Sequence, residues 1–120
     1  MDWNLSGGRP VWLQLKERIA MGIVQGTYPP GSRLPSVREL AMDAGVNPNT
    51  MQRALTELER DGLATAMGTT GRVVTCDLRK IEGLRKEIAR DVVEGFFRGM
   101  EQLGYSAEDA VKVLEEWVHE

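Results

Sequence analysis

Residues Tyr28 to Leu63, YPPGSRLPSVRELAMDAGVNPNTMQRALTELERDGL, permit few local structures. Ser36 followed by Glu39 has the form of a capping box. The serine oxygen accepts from the Glu39 amide and the glutamate reaches back to the Ser36 amide. Val37, Leu40, Ala41 and Ala44 then fall on one helical face. Gly45 suits the left-handed position that ends such a helix. Asn47 and Pro48 start the next one, as a cap and a first-turn proline. Met51, Ala54, Leu55 and Leu58 make its apolar stripe. Asn49, Thr50, Gln52, Arg53 and Thr56 are left facing outward near its start. The stretch therefore predicts two short helices joined by a tight turn. The second carries amide, hydroxyl and guanidinium groups that could meet base edges in a DNA major groove.

The rest of the chain is organised around this pair. Ser6-Gly7-Gly8 reads as part of a flexible lead-in, with Trp3 and Leu5 in a short extended arm. Pro10 to Gln25 predicts a helix with Leu15, Ile19 and Ile23 on one face and Gly26 at its end. The loop Thr27–Pro35 places Leu34 as a plug for the core. Gly62 ends the second helix of the pair. Leu63–Met67 and Arg72–Cys76 predict two short strands around Gly68-Thr69-Thr70-Gly71, a β-hairpin or wing. Small residues at its tip would let backbone approach a phosphate or a minor groove; a plain solvent turn reads equally well.

After Leu78 the pattern changes. Ile81, Leu84, Ile88, Val92, Phe96, Met100 and Leu103 recur at helical spacing, widened by Val93 and Phe97. Gly104 ends this helix, and Ser106 with Asp109 opens another whose stripe is Ala110, Val111, Leu114, Trp117 and Val118. Two such helices carry more apolar surface than a small domain needs, and a hairpin of this kind most simply pairs with its own copy. Folding back as the domain's own core is the alternative. The fold class expected is mainly α with a small β-wing. Residues 1–76 would form a winged helix-turn-helix domain, and residues 77–120 a helical hairpin for dimerisation.

Charge argues against DNA at first. The formal net charge is −3, whereas nucleic-acid binders are usually basic. Its distribution softens the objection. Up to Cys76 the chain has eight Lys/Arg against seven Asp/Glu; from Asp77 onward it has seven against eleven. The acid sits in the tail. The basic set expected at DNA is small, namely Arg33, Arg38, Arg53 and Arg72, so each subunit alone should bind modestly.

Other chemistry is sparse. His119 is the sole histidine, beside the terminal Glu120. No cysteine/histidine set has metal spacing, and the Gly68–Gly71 turn lacks the lysine of a Walker loop. Glu57, Glu59 and the Glu115-Glu116 pair read as solvated helix charges. Cys76 is expected as a buried or half-buried strand thiol in a reducing cytoplasm. No apolar run has the length of a membrane span, and Met1-Asp2-Trp3 starts no signal peptide. No catalytic residue, metal, cofactor or membrane partner is expected.

Residues 26–41, GTYPPGSRLPSVRELA, resemble the signature of the GntR family of bacterial transcription regulators. Residues 46–63, VNPNTMQRALTELERDGL, resemble its YtrA-like branch. The resemblance covers roughly residues 10 to 75. It implies a winged helix-turn-helix, a homodimer and a double-stranded operator. In that branch it implies a short two-helix dimerisation module in place of a large effector domain. Any small-molecule effector would then sit at the dimer interface or between domains.

Carried over residue by residue, Arg33 and Ser36 match positions that touch phosphates. Arg38 matches an arginine placed at phosphate or a guanine edge. Asn47, Asn49, Thr50 and Gln52 match the start of the recognition helix, and Gly71 with Arg72 the wing. Capping alone would also explain Ser36 and Asn47. Many GntR members carry arginine at the positions of Pro48 and Gln52. The wing here reads GTTGRVV instead of GRGTFV. Base preference is therefore not transferable: Gln52 suits adenine, and Arg53, one residue on, suits guanine or phosphate. Repression is the expected sign, since no extra surface is dedicated to recruiting polymerase. The competing reading is a winged-helix module that binds a protein partner and has no operator.

Overall fold

The computed structural model describes residues 1–120, the side chain of Thr70 excepted. Five helices and one two-stranded sheet follow in order: α1 (Val11–Gln25), α2 (Val37–Ala44), α3 (Pro48–Arg60), β1 (Ala64–Ala66), β2 (Arg72–Val74), α4 (Leu78–Gln102) and α5 (Ala107–Val118). The contacts divide the chain into two compact units, Met1–Leu84 and Arg85–Glu120.

In the first unit the local signals act as their chemistry dictates. The Glu39 amide donates to Ser36 Oγ at 3.1 Å, and the Ser36 amide donates to the Glu39 carboxylate at 3.4 Å. Gly45 adopts φ +69° and closes α2 with N–H bonds to Ala41 and Met42 carbonyls, a conformation a β-carbon would strain. Asn47 Oδ1 accepts from the Asn49 amide at 2.7 Å, with Pro48 behind it in the first turn. These caps engage three backbone amides at helix starts that would otherwise lack a partner.

The stripes of α1 and α3 meet in the core. Leu15, Ile19, Ile23, Met51, Leu55, Leu58 and Val74 are its fully buried large side chains, and Leu34 plugs it from the loop before α2. Strands β1 and β2 pair antiparallel with Ala64 opposite Val74 and Ala66 opposite Arg72. On the far side of β2 the loop before α2 adds backbone bonds, Leu34 N–H to Arg72 O at 2.9 Å and Val74 N–H to Ser32 O at 2.8 Å. The wing is thereby tied to the approach to α2.

Two local expectations need correction. Both strands are shorter than the pattern suggested. The Leu63 amide still closes α3 by donating to Leu58 O at 3.0 Å, so β1 cannot begin there. Cys76 is exposed and lies beyond β2. The chain has already left the sheet to start α4, whose first turn is held by Asp77 Oδ1 accepting from the Arg79 amide at 3.0 Å.

The N-terminal arm is more than a lead-in. Trp3 is buried in the core, its indole N–H donates to Asp43 at 2.8 Å, and its carbonyl accepts from Arg18 Nε at 3.0 Å. The indole bond holds the Asp43 carboxyl below the ordinary carboxylate range, assisted by the positive amino terminus. At the other end of the unit, Ile81 is buried and Leu84 is half-buried against the same core, which is why the first turns of α4 belong to it.

The second unit comprises the remainder of α4 and α5. Gly104, at φ +91°, ends the long helix region, and Ser106 Oγ caps α5 by accepting from the Asp109 amide at 3.1 Å. Ala110 is buried, and Phe96 and Phe97 meet edge-to-face at 5.2 Å. Val92, Leu103, Trp117 and Val118 remain about two-thirds to three-quarters exposed.

Candidate nucleic-acid interface

The outward side of the helix pair carries the polar groups. Asn49, Gln52, Arg53 and Thr56 are exposed on α3 and Thr50 is half-buried, while Met51, Ala54, Leu55 and Leu58 are buried. That division follows from helical spacing: four buried positions fix the face, and the residues between them must point away. Thr56 donates its hydroxyl to Gln52 O at 2.9 Å, which places it 3.4 Å from the Gln52 amide nitrogen. The Gln52 amide is thus partly held by its own helix.

An open cleft of about 770 Å³ brings together the start of α2, the start of α3 and the wing. Arg33, Ser36, Arg38, Gly71 and Arg72 line it, with Pro48. Five of the ten residues singled out from sequence therefore share one concavity. Arg33 and Arg38 are exposed there. Among the described residues, neither has a carboxylate within ion-pairing reach. Two unpaired guanidiniums beside helix starts favour an anion, because the helix dipoles add positive potential there.

The four arginines are not equivalent, and only tertiary structure separates them. Arg72 is engaged through Nε with Glu59 of α3, which binds the wing to the helix. Glu59 is accordingly not the solvated charge that the sequence suggested. Arg53 lies over Trp12 of α1, its guanidinium carbon 4.2 Å from the ring centroid. Nothing in the linear sequence announces either pairing, since the partners are separated by a turn and a strand in one case and by the whole of α2 and its flanking loops in the other. Ser36 and Asn47 spend their side-chain oxygens on caps, so their first role is to fix the helices that carry the other residues. Lys16 of α1 pairs with Asp61 at 2.6 Å and holds the end of α3. Among the described residues no group of His, Cys, Asp and Glu could hold a metal ion, and no helix is long and apolar enough to cross a membrane.

Comparison with known proteins places this geometry. Residues 12–74 match the family model described as bacterial regulatory proteins, gntR family. An uncharacterized HTH-type transcriptional regulator, YhcF of Bacillus subtilis, is 34% identical over 93% of each chain. The transcriptional repressor YtrA of the same organism is 27% identical over 92% of this chain and 83% of its own. A GntR family regulator structure from Listeria monocytogenes superposes with TM-score 0.83 at 38% identity, covering 93% of this chain and 98% of that one. The structure of AraR(DBD) in complex with operator ORX1 matches with TM-score 0.55 at 32% identity, covering 60% of this chain and 88% of that one. With a helix pair capped as the sequence dictates, a short wing and matches that span nearly the whole chain, the protein belongs to the GntR family of bacterial regulatory proteins, as a helix-turn-helix transcription regulator of the YtrA-like branch.

Proposed function

We propose that the protein acts in the cytoplasm as a homodimeric repressor that binds an inverted-repeat operator. The observation that carries the DNA reading is the cleft where unpaired Arg33 and Arg38 flank the polar start of α3. In this reading Arg33, Ser36, Arg38, Gly71 and Arg72 meet backbone phosphates, and Asn47, Asn49, Thr50, Gln52 and Arg53 lie in or beside the major groove. A fold match to AraR(DBD), solved in complex with operator ORX1, supports the DNA reading, and the repressor named YtrA supports the sign.

Dimerisation rests on the second unit. A pair of helices that leaves Val92, Val93, Leu103, Trp117 and Val118 in solvent needs a partner surface. Its own copy supplies one with two-fold symmetry. A small-molecule effector, if the protein takes one, binds at that interface.

Two recognition helices related by a two-fold axis require inverted half-sites, centred about one helical turn apart or a multiple of it. Footprinting on operators selected from random DNA should show paired half-sites. Inserting about half a turn between them rotates one site away from its subunit and should abolish tight binding. Tolerance of that insertion, or selection of single half-sites, would contradict the symmetric dimer. Failure to select any sequence, with salt-independent binding, would favour the protein-partner reading instead.

A further inference from the structure

Arg53 differs from the other arginines of its unit in the way it is held. Arg9, Arg60 and Arg72 each meet a carboxylate, on Glu17, Glu57 and Glu59. Arg33 and Arg38 project without an ion-pair partner among the described residues. Arg53 likewise has no carboxylate partner there, yet it is not without a contact: its guanidinium carbon lies 4.2 Å from the centroid of the Trp12 ring. Stacking on an aromatic face restrains a guanidinium without consuming its N–H donors or its charge. Trp12 is half-buried in the first turn of α1, so the platform is itself fixed. The outcome is a fork held on the α1 side of α3, one position round from Gln52. The flank of a helix in a major groove faces the sugar-phosphate wall, whereas its leading face meets the bases.

We propose that Trp12 is a positioning residue that presets Arg53 as a clamp for a DNA backbone phosphate. This clamp lies on α3 outside the cleft lined by Arg33 and Arg38. The assignment rests on the DNA-binding reading above and adds to it a residue outside the helix-turn-helix pair. Trp12 acts through Arg53: it orders the guanidinium, and the guanidinium meets the phosphate.

The test uses the full chain and a random-sequence duplex, with affinity measured over a salt series. Phosphate contacts dominate such binding, so no operator is needed. Trp12→Ala should weaken binding about two- to fivefold with the salt slope retained, because the charge is still present. Trp12→Phe keeps an aromatic platform and should restore most of the loss. Arg53→Ala should lower the salt slope by about one. In the Arg53→Ala background, Trp12→Ala should have no further effect. Equal losses from Trp12→Ala with and without Arg53 would overturn the proposal, as would an unchanged slope for Arg53→Ala, an exposed substitution that leaves the core intact. If the unsubstituted chain shows no salt-dependent binding to any duplex, the DNA reading itself falls and takes this one with it.

Discussion

The two units treat apolar residues in opposite ways. In the first, the stripes of α1 and α3 bury one another completely, and Leu34, Trp3 and Ile81 close the remaining gaps. In the second, equally regular stripes on α4 and α5 leave Val92, Val93, Leu103, Trp117 and Val118 exposed. The same period produces a finished core in one place and an unmatched surface in the other. A helix-period pattern says that a face will be buried; it does not say against what. The first unit buries the stripes of α1 and α3 internally, so the outward groups of α3 are available for recognition. The second has not, and its outward groups ask for a partner.

That contrast can be broken most severely in the core. Leu55→Ala should cost about 2–5 kcal/mol, because a fully enclosed side chain leaves a cavity that its neighbours fill only in part. Denaturant melts should show the loss at every protein concentration. If Leu55→Ala melts like the parent, α3 is not seated as described.

Val92→Asp makes the opposite experiment. The residue is 66% exposed within the chain, so a charge there should cost the fold little. In a dimer interface it would bury an unpaired carboxylate, and sedimentation should shift toward monomer with a concentration-dependent fall in melting temperature. A chain ending at Leu84 should remain folded and monomeric, whereas one ending at Cys76 loses Ile81 from the core and should be markedly less stable. An unchanged dimer for Val92→Asp would move the interface elsewhere.

Smaller effects separate the two kinds of contact on the first unit. Arg38→Ala should weaken binding to all duplexes by about 1–3 kcal/mol and lower the salt slope by about one. Gln52→Ala should relax base preference while leaving binding to random DNA nearly unchanged. Equal losses on operator and random DNA for Gln52→Ala would remove it from the reading face.

Much of this was legible along the chain. The capping box at Ser36 and Glu39, the Asn47-Pro48 start, the left-handed Gly45 and the stripes of α1 and α3 depend on neighbours within one helical turn. Such interactions survive in any fold that keeps the helices, so residue order alone dictates them. The cleft was half legible: its residues could be named, but their convergence depends on the wing being stitched to the loop before α2. The fate of each arginine was not legible at all. Arg72 on Glu59, Arg53 on Trp12, Trp3 bonded to Asp43, and Cys76 turned out to solvent are decided by which elements pack side by side. The sequence by itself determined the helices, their ends and their apolar faces, because these are set by local backbone and side-chain chemistry. Tertiary structure alone decided which charges are spent inside the domain and which remain for a partner, because an ion pair or a stacked ring forms between residues that only packing brings within a few ångströms.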